Sequence, residues 1–135
     1  MLVVLSGLPG VGKTTIARAL ARAIGAVHVR IDSIEQTLRQ AGWEVEGEGY
    51  AVAWRSVAAR AGVRAIEVEL ICSDAAEHRR RVETRTSDLE GHRVPTWAEV
   101  QSHDYRPWDR DRLIVDTTMW SSDQVVQRVR AVLEV

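Results

Sequence analysis

The sequence has almost no lysine. Among its 18 basic residues a single one, Lys13, is lysine, and all the others are arginine. A chain that uses guanidinium for every other cation and keeps one ammonium marks a place where a planar fork is too wide, such as the inside of a loop wrapped round phosphates. Cysteine is equally scarce. Cys72 stands alone, which excludes an internal disulfide and makes a cytoplasmic location the expectation. Neither sign of charge dominates. With a formal net charge of -1, nothing global points to a nucleic-acid or anionic-membrane partner. Long apolar runs are missing too, and none approaches the roughly 20 residues that span a bilayer. The first run stops after Leu5, at Ser6-Gly7, with no basic residue ahead of it, which is not the pattern of a signal peptide. Repeats and low-complexity segments are absent. What remains is an ordinary globular composition, 45% hydrophobic and 27% charged over 135 residues, and it predicts one domain, 1–135, with one core.

Apolar Met1–Leu5 reads as a central parallel strand. Lys13–Ile24 carries Ile16, Ala17, Leu20, Ala21 and Ile24 at helical spacing, with Gly25 as its C-cap. Val27–Ile31 reads as a second strand, and Ser33–Ala41 as a short helix closed by Gly42. Residues 43–49 are acidic and glycine-bearing, as in a loop. Tyr50–Ala61 reads as a helix stopped by Gly62. In the predicted third strand, Ala65–Cys72, Ile66, Val68 and Leu70 alternate with Glu67 and Glu69, so one face should meet solvent or an unusual partner. Helices are predicted over Asp74–Arg85, from Pro95, and from Ser121 to the C-terminus, each opened by a capping-box spacing. Arg112–Asp116 is the predicted fourth strand. Alternating strands and helices imply an α/β domain of three layers around a reduced, mainly parallel sheet of about four strands, with ligands at the carboxyl ends.

Gly7-Leu8-Pro9-Gly10-Val11-Gly12-Lys13-Thr14 fits G-x-x-x-x-G-K-[ST] in full and lies between a strand and a helix. Glycines let backbone N–H groups turn toward phosphate oxygens, and the helix N-terminus adds partial positive charge. The expected ligand is a purine nucleoside triphosphate, MgATP, held by Gly7 to Thr15. Lys13 is expected at the β- and γ-phosphates, and the Thr14 hydroxyl on Mg²⁺. Asp32, at the rim, is expected to orient an acceptor hydroxyl or take its proton, or else to cap a helix. Arg81 and Arg85 share an i, i+4 face and are expected to clamp the transferring phosphoryl group beside a lid over Arg85–Val94. No histidines have metal spacing, and the tryptophans read as packing residues. The loop after Asp116-Thr117 is placed to flank the adenine or simply to turn.

The stretches GLPGVGKTT, RIDSIEQTLR, CSDAAEHRRRVETR, VPTWAEVQSHDYRPWD and RLIVDTT resemble a bacterial family of small P-loop kinases, described as AAA-family ATPases or predicted kinases. These are similar to gluconate, shikimate and chloramphenicol kinases and to zeta toxins. The resemblance implies transfer of the ATP γ-phosphoryl to a hydroxyl of a small molecule, with Asp32 serving the acceptor and Arg81 and Arg85 the phosphates. The chain departs from the family in one place. Where such kinases carry a further strand resembling VVADSVN, with the Walker B-type Asp, Tyr50-Ala51-Val52-Ala53 here runs straight into Trp54-Arg55.

Two expectations follow from the departure. One is a compact kinase in which Val27–Ile31 pairs directly with Met1–Leu5, so that Asp32 doubles as the Mg²⁺-side carboxylate. The other is a nucleotide-binding protein or weak ATPase without transfer. In either case the chain is expected as a monomer or a homodimer, the latter with an exchanged strand filling the slot.

Overall fold

In a computed structural model, residues 1–44, 50–87, 91 and 93–134 are described, and of Tyr50–Val52 the backbone alone. Most of the acidic loop and part of the predicted lid (residues 88–90 and 92) therefore lie outside the described residues.

The chain opens with β1, Leu2–Ser6, whose five residues are four aliphatics and a serine. Helix α1, Lys13–Ile24, follows over the predicted span. Gly25 closes it with φ 67 and an N–H bonded to Ala21 O. Next come α2 (Ile31–Gln40), α3 (Tyr50–Arg60), β2 (Ala65–Ile71), α4 (Ala75–Thr84), α5 (Trp97–Ser102), β3 (Leu113–Asp116) and α6 (Ser122–Leu133). Local chemistry sets several of these starts. The Asp74 carboxylate accepts from Ala76 N and Glu77 N at the head of α4, and Thr96/Glu99 and Ser121/Gln124 form reciprocal capping boxes on α5 and α6.

The sheet is parallel, in the order β1-β2-β3. Leu2 pairs with Ala65 and Ser6 with Glu69, while Val68 pairs with Leu113 and Ile71 with Asp116. Three of the four predicted strands are present, and the predicted second one is corrected. Val27–Ile31 is not a strand. Helix α2 starts at Ile31, two residues earlier than its spacing predicts, with Arg30 as N-cap. Only a short irregular piece remains, in which Val27 is 89% exposed and Val29 also faces solvent. Its Val-His-Val alternation has strand propensity, but propensity without cross-strand partners does not make a strand. The direct pairing with β1 is thus absent, and among the described residues β1 has a strand neighbour on one side only.

One face of the sheet carries the core. Ile66, Val68, Leu70 and Val115 pack with Val11, with Ile16 and Leu20 of α1, and with Val125, Val126 and Val129 of α6. The other face of β2 presents Glu67 and Glu69, both buried. Their unusual partners are arginines. Arg110 grips Glu67 with two bonds of 2.5 and 2.8 Å, and Arg112 grips Glu69, which also accepts from Tyr105 Oη at 2.6 Å. Burial, together with the bond to Glu69, pushes the Tyr105 phenol up to about 12. Helix α3 lies on this side as well, with Ala58 buried and Arg55 3.8 Å from Glu67. The result is a helical layer on each face of a small sheet, with the loops after β1, β2 and β3 gathered at its carboxyl edge.

Candidate phosphate-binding site

The loop after β1 has the shape its glycines require. At Gly7, φ is 134, and a Cβ would lie 2.2 Å from Leu70 O of β2, so no side chain fits. At Gly10, φ is 86, and a Cβ would come within 2.6 Å of Val82 Cγ2 on α4. The loop thus runs tight between β2 and α4 before α1 begins.

Lys13 folds back under the loop. Its Nζ donates to Gly7 O at 2.6 Å and Leu8 O at 2.9 Å. Loss of hydration lowers its pKa to about 8. Asp32 opposes this shift, and Arg85 and Arg30 add to it. The ammonium is therefore a cation held at some cost, in a place where an arriving anion would relieve it.

A cleft of about 940 Å³ opens over the loop. Pro9 through Thr15 line it, so the Thr14 hydroxyl is available from the loop, and Asp32, Arg81 and Arg85 all reach it. Gly7 and Leu8 lie beneath and contribute the carbonyls that hold Lys13. Asp32 occupies the first turn of α2 and is not its N-cap. That place belongs to Arg30, whose Nε also donates to the Asp32 carboxylate at 3.3 Å. An acid in a first turn is favoured by the helix dipole.

The two arginines differ. Arg81 is fully engaged. Its Nε donates to Glu77 Oε1 at 2.7 Å, Nη1 to Thr117 Oγ1 at 2.8 Å and Nη2 to Thr117 O at 3.0 Å. Glu77 also binds Arg80, and the two arginines hold its carboxyl down at about 2. Arg85 lies beyond the end of α4 with extended backbone. It faces the cleft near enough to Lys13 to depress the lysine, and it has no hydrogen bond among the described residues. The shared helix face predicted for the pair ends with the helix at Thr84.

Sequence reasoning missed the residue that ties this edge together. Thr117 Oγ1 donates to Val11 O at 2.9 Å in the P-loop or to Ile71 O at 3.0 Å after β2, and it accepts from Arg81. Beside it, Asp116 accepts from Ser73 N and Thr118 N. Burial works against its charge, but these bonds win and hold the carboxyl below its usual range. The stretch that follows, Thr117–Ser122, lines the cleft, including Trp120, which carries the Arg128 guanidinium 4.6 Å from its ring centre.

A Mg²⁺ ion commonly keeps several waters and takes one or two protein oxygens besides phosphate oxygens. Thr14 and Asp32 fit that requirement, and no group of three or more His, Cys, Asp or Glu among the described residues offers an alternative metal site.

No curated protein and no solved structure matches the chain. A family model described as AAA domain matches residues 2–54, somewhat under half of the chain. The matched stretch spans β1, the P-loop, α1 and α2, and it supports a P-loop nucleotide-binding chain of this type.

Proposed function

We propose that the chain binds MgATP and transfers its γ-phosphoryl group to a hydroxyl of a small molecule. The observation that carries this reading is the meeting, in one cleft, of the P-loop cradle, the depressed Lys13, Arg85, which has no hydrogen bond among the described residues, and the carboxylate of Asp32. Lys13 exchanges its two loop carbonyls for β- and γ-phosphate oxygens. Arg85 meets the negative charge spread over the transferring group, and Arg81 holds the wall behind it. Thr14 and Asp32 are the residues that would hold Mg²⁺, which would supply neutralisation of the phosphate charge. The acceptor oxygen bonds to the γ-phosphorus as the bond to the bridging oxygen of ADP breaks, and Asp32 takes the acceptor proton. The loop 117–122 forms the side of the cleft where the adenine rests. Incubation with γ-labelled ATP and pools of hydroxylated metabolites tests the reading. A labelled organic product supports it.

A second reading, nucleotide binding or weak hydrolysis without transfer, is favoured by one observation: among the described residues that line the cleft, Asp32 is the single acid. Label released only as inorganic phosphate, or retained in ATP, would select it.

Asp32→Asn discriminates at the residue level. If Asp32 serves the acceptor, turnover should fall about 10²–10⁴-fold while affinity for an ATP analogue measured without Mg²⁺ stays nearly unchanged. The stability cost should be limited to the helix-dipole contribution of about 0.3–1 kcal/mol. Normal turnover in this variant would remove Asp32 from the chemistry.

The depressed Lys13 also sets a pH dependence. In the free protein the ammonium loses its proton near pH 8, against 10.5 unperturbed. Bound phosphate favours the charged form, so binding takes up a proton above pH 8, and affinity should weaken there by up to about tenfold per pH unit. The apo fold behaves oppositely. Between these two values the unfolded chain holds the extra proton, so this group makes stability rise with pH. Nucleotide affinity that is flat from pH 7 to 9.5 would contradict the assignment.

A further inference from the structure

His78 stands on α4 one turn before Val82 and is buried against the P-loop. Its Nε2 lies 2.7 Å from the carbonyl oxygen of Pro9. A carbonyl only accepts, so Nε2 carries the hydrogen and donates it. Trp97, the first residue of α5, meets the imidazole edge-on, with ring centres 5.2 Å apart and planes at 79°, which fixes the plane of the ring. On the loop side Gly10 fits so closely that a Cβ there would be 3.4 Å from His78 Cδ2.

From this arrangement we infer that His78 is the positioning residue of the P-loop, setting the orientation of the Pro9–Gly10 peptide on which phosphate binding depends. The inference rests on the nucleotide reading of the site. There are no cis peptide bonds among the described residues, and in a planar trans peptide the C=O and N–H point in opposite directions. Holding the Pro9 carbonyl against α4 therefore turns the Gly10 N–H away from α4. Glycine tolerates φ of either sign, so the sequence alone leaves this peptide two orientations. The flipped one presents a carbonyl oxygen in place of an amide hydrogen and repels an anion. His78 removes that alternative. Trp97 follows by two residues Pro95, which lines the cleft, so the segment that walls the cleft also braces the residue that shapes the cradle.

The test uses the full chain with His78→Leu and His78→Gln. A non-hydrolysable ATP analogue with Mg²⁺ is titrated, and the Gly10 amide resonance is followed without nucleotide. His78→Leu should bind the analogue about tenfold more weakly, the effect of one lost buried hydrogen bond, and should show a broadened or doubled Gly10 resonance. His78→Gln, whose side-chain amide reaches the same carbonyl, should recover both with a melting temperature no higher than that of His78→Leu. An unchanged affinity and a single sharp Gly10 resonance in His78→Leu would overturn the inference. So would equal losses in both variants that simply follow their melting temperatures. If the parent chain fails to bind the analogue, the nucleotide reading fails, and the Gly10 resonance alone decides for or against His78.

Discussion

Lys13→Ala is expected to bind MgATP about a hundredfold more weakly than the parent chain, since two charge-assisted bonds to phosphate are lost, and to show no turnover. The fold should not suffer. The ammonium is held well below its ordinary pKa, chiefly by loss of hydration, so its removal takes away a cost as well as two bonds to Gly7 O and Leu8 O. A melting temperature equal to or above that of the parent is the expected companion of lost binding, a trade of stability for function at one residue. Lys13→Arg should fail too, because the guanidinium is too wide to lie under the loop. Equilibrium titration with a fluorescent ATP analogue, alongside thermal melts, checks both. Unchanged affinity in both variants would refute the phosphate site.

Arg112→Met is expected to cause the largest loss of stability. Glu69 is 2% exposed and holds its charge with Arg112 and Tyr105. Without the arginine a carboxylate stays buried with one hydrogen bond, at a cost of about 3–5 kcal/mol, or roughly 10–20 °C of melting temperature for a domain of this size. The double variant Glu69→Leu/Arg112→Met removes both charges and should recover most of the loss, since apolar replacement of a buried pair is often neutral. A double-mutant cycle by thermal or urea melts measures the coupling. A loss below about 1 kcal/mol for the single variant would show that the pair behaves like a surface one.

Features written in neighbouring residues were legible in the sequence. The P-loop, α1 with its Gly25 stop, and the capping boxes at Thr96 and Ser121 are all set by residues a few positions apart. Features that depend on distant partners were not. Val27–Ile31 has the composition of a strand, yet β1 offers it no pairing and α2 takes its last residue. The alternating glutamates of β2 announced a partner without naming it, because Arg110 and Arg112 lie 43 positions further on. Thr117 reaches Val11 across 106 positions, and His78 reaches Pro9 across 69. Nothing local to either residue signals these contacts. The arginines show both cases at once. Their spacing on α4 was readable, but the helix stops between them, which sends Arg81 to Thr117 and leaves Arg85 to the cleft.

In the proposed function everything depends on the loop from Gly7 to Thr15 working as a phosphate cradle. Calorimetric titration of the parent chain with a non-hydrolysable ATP analogue, with and without Mg²⁺, tests it most directly. The expected result is saturable binding at one site per chain, tighter with Mg²⁺ and accompanied by proton uptake above pH 8. Absence of binding at millimolar analogue, or binding that survives Lys13→Ala undiminished, would contradict it.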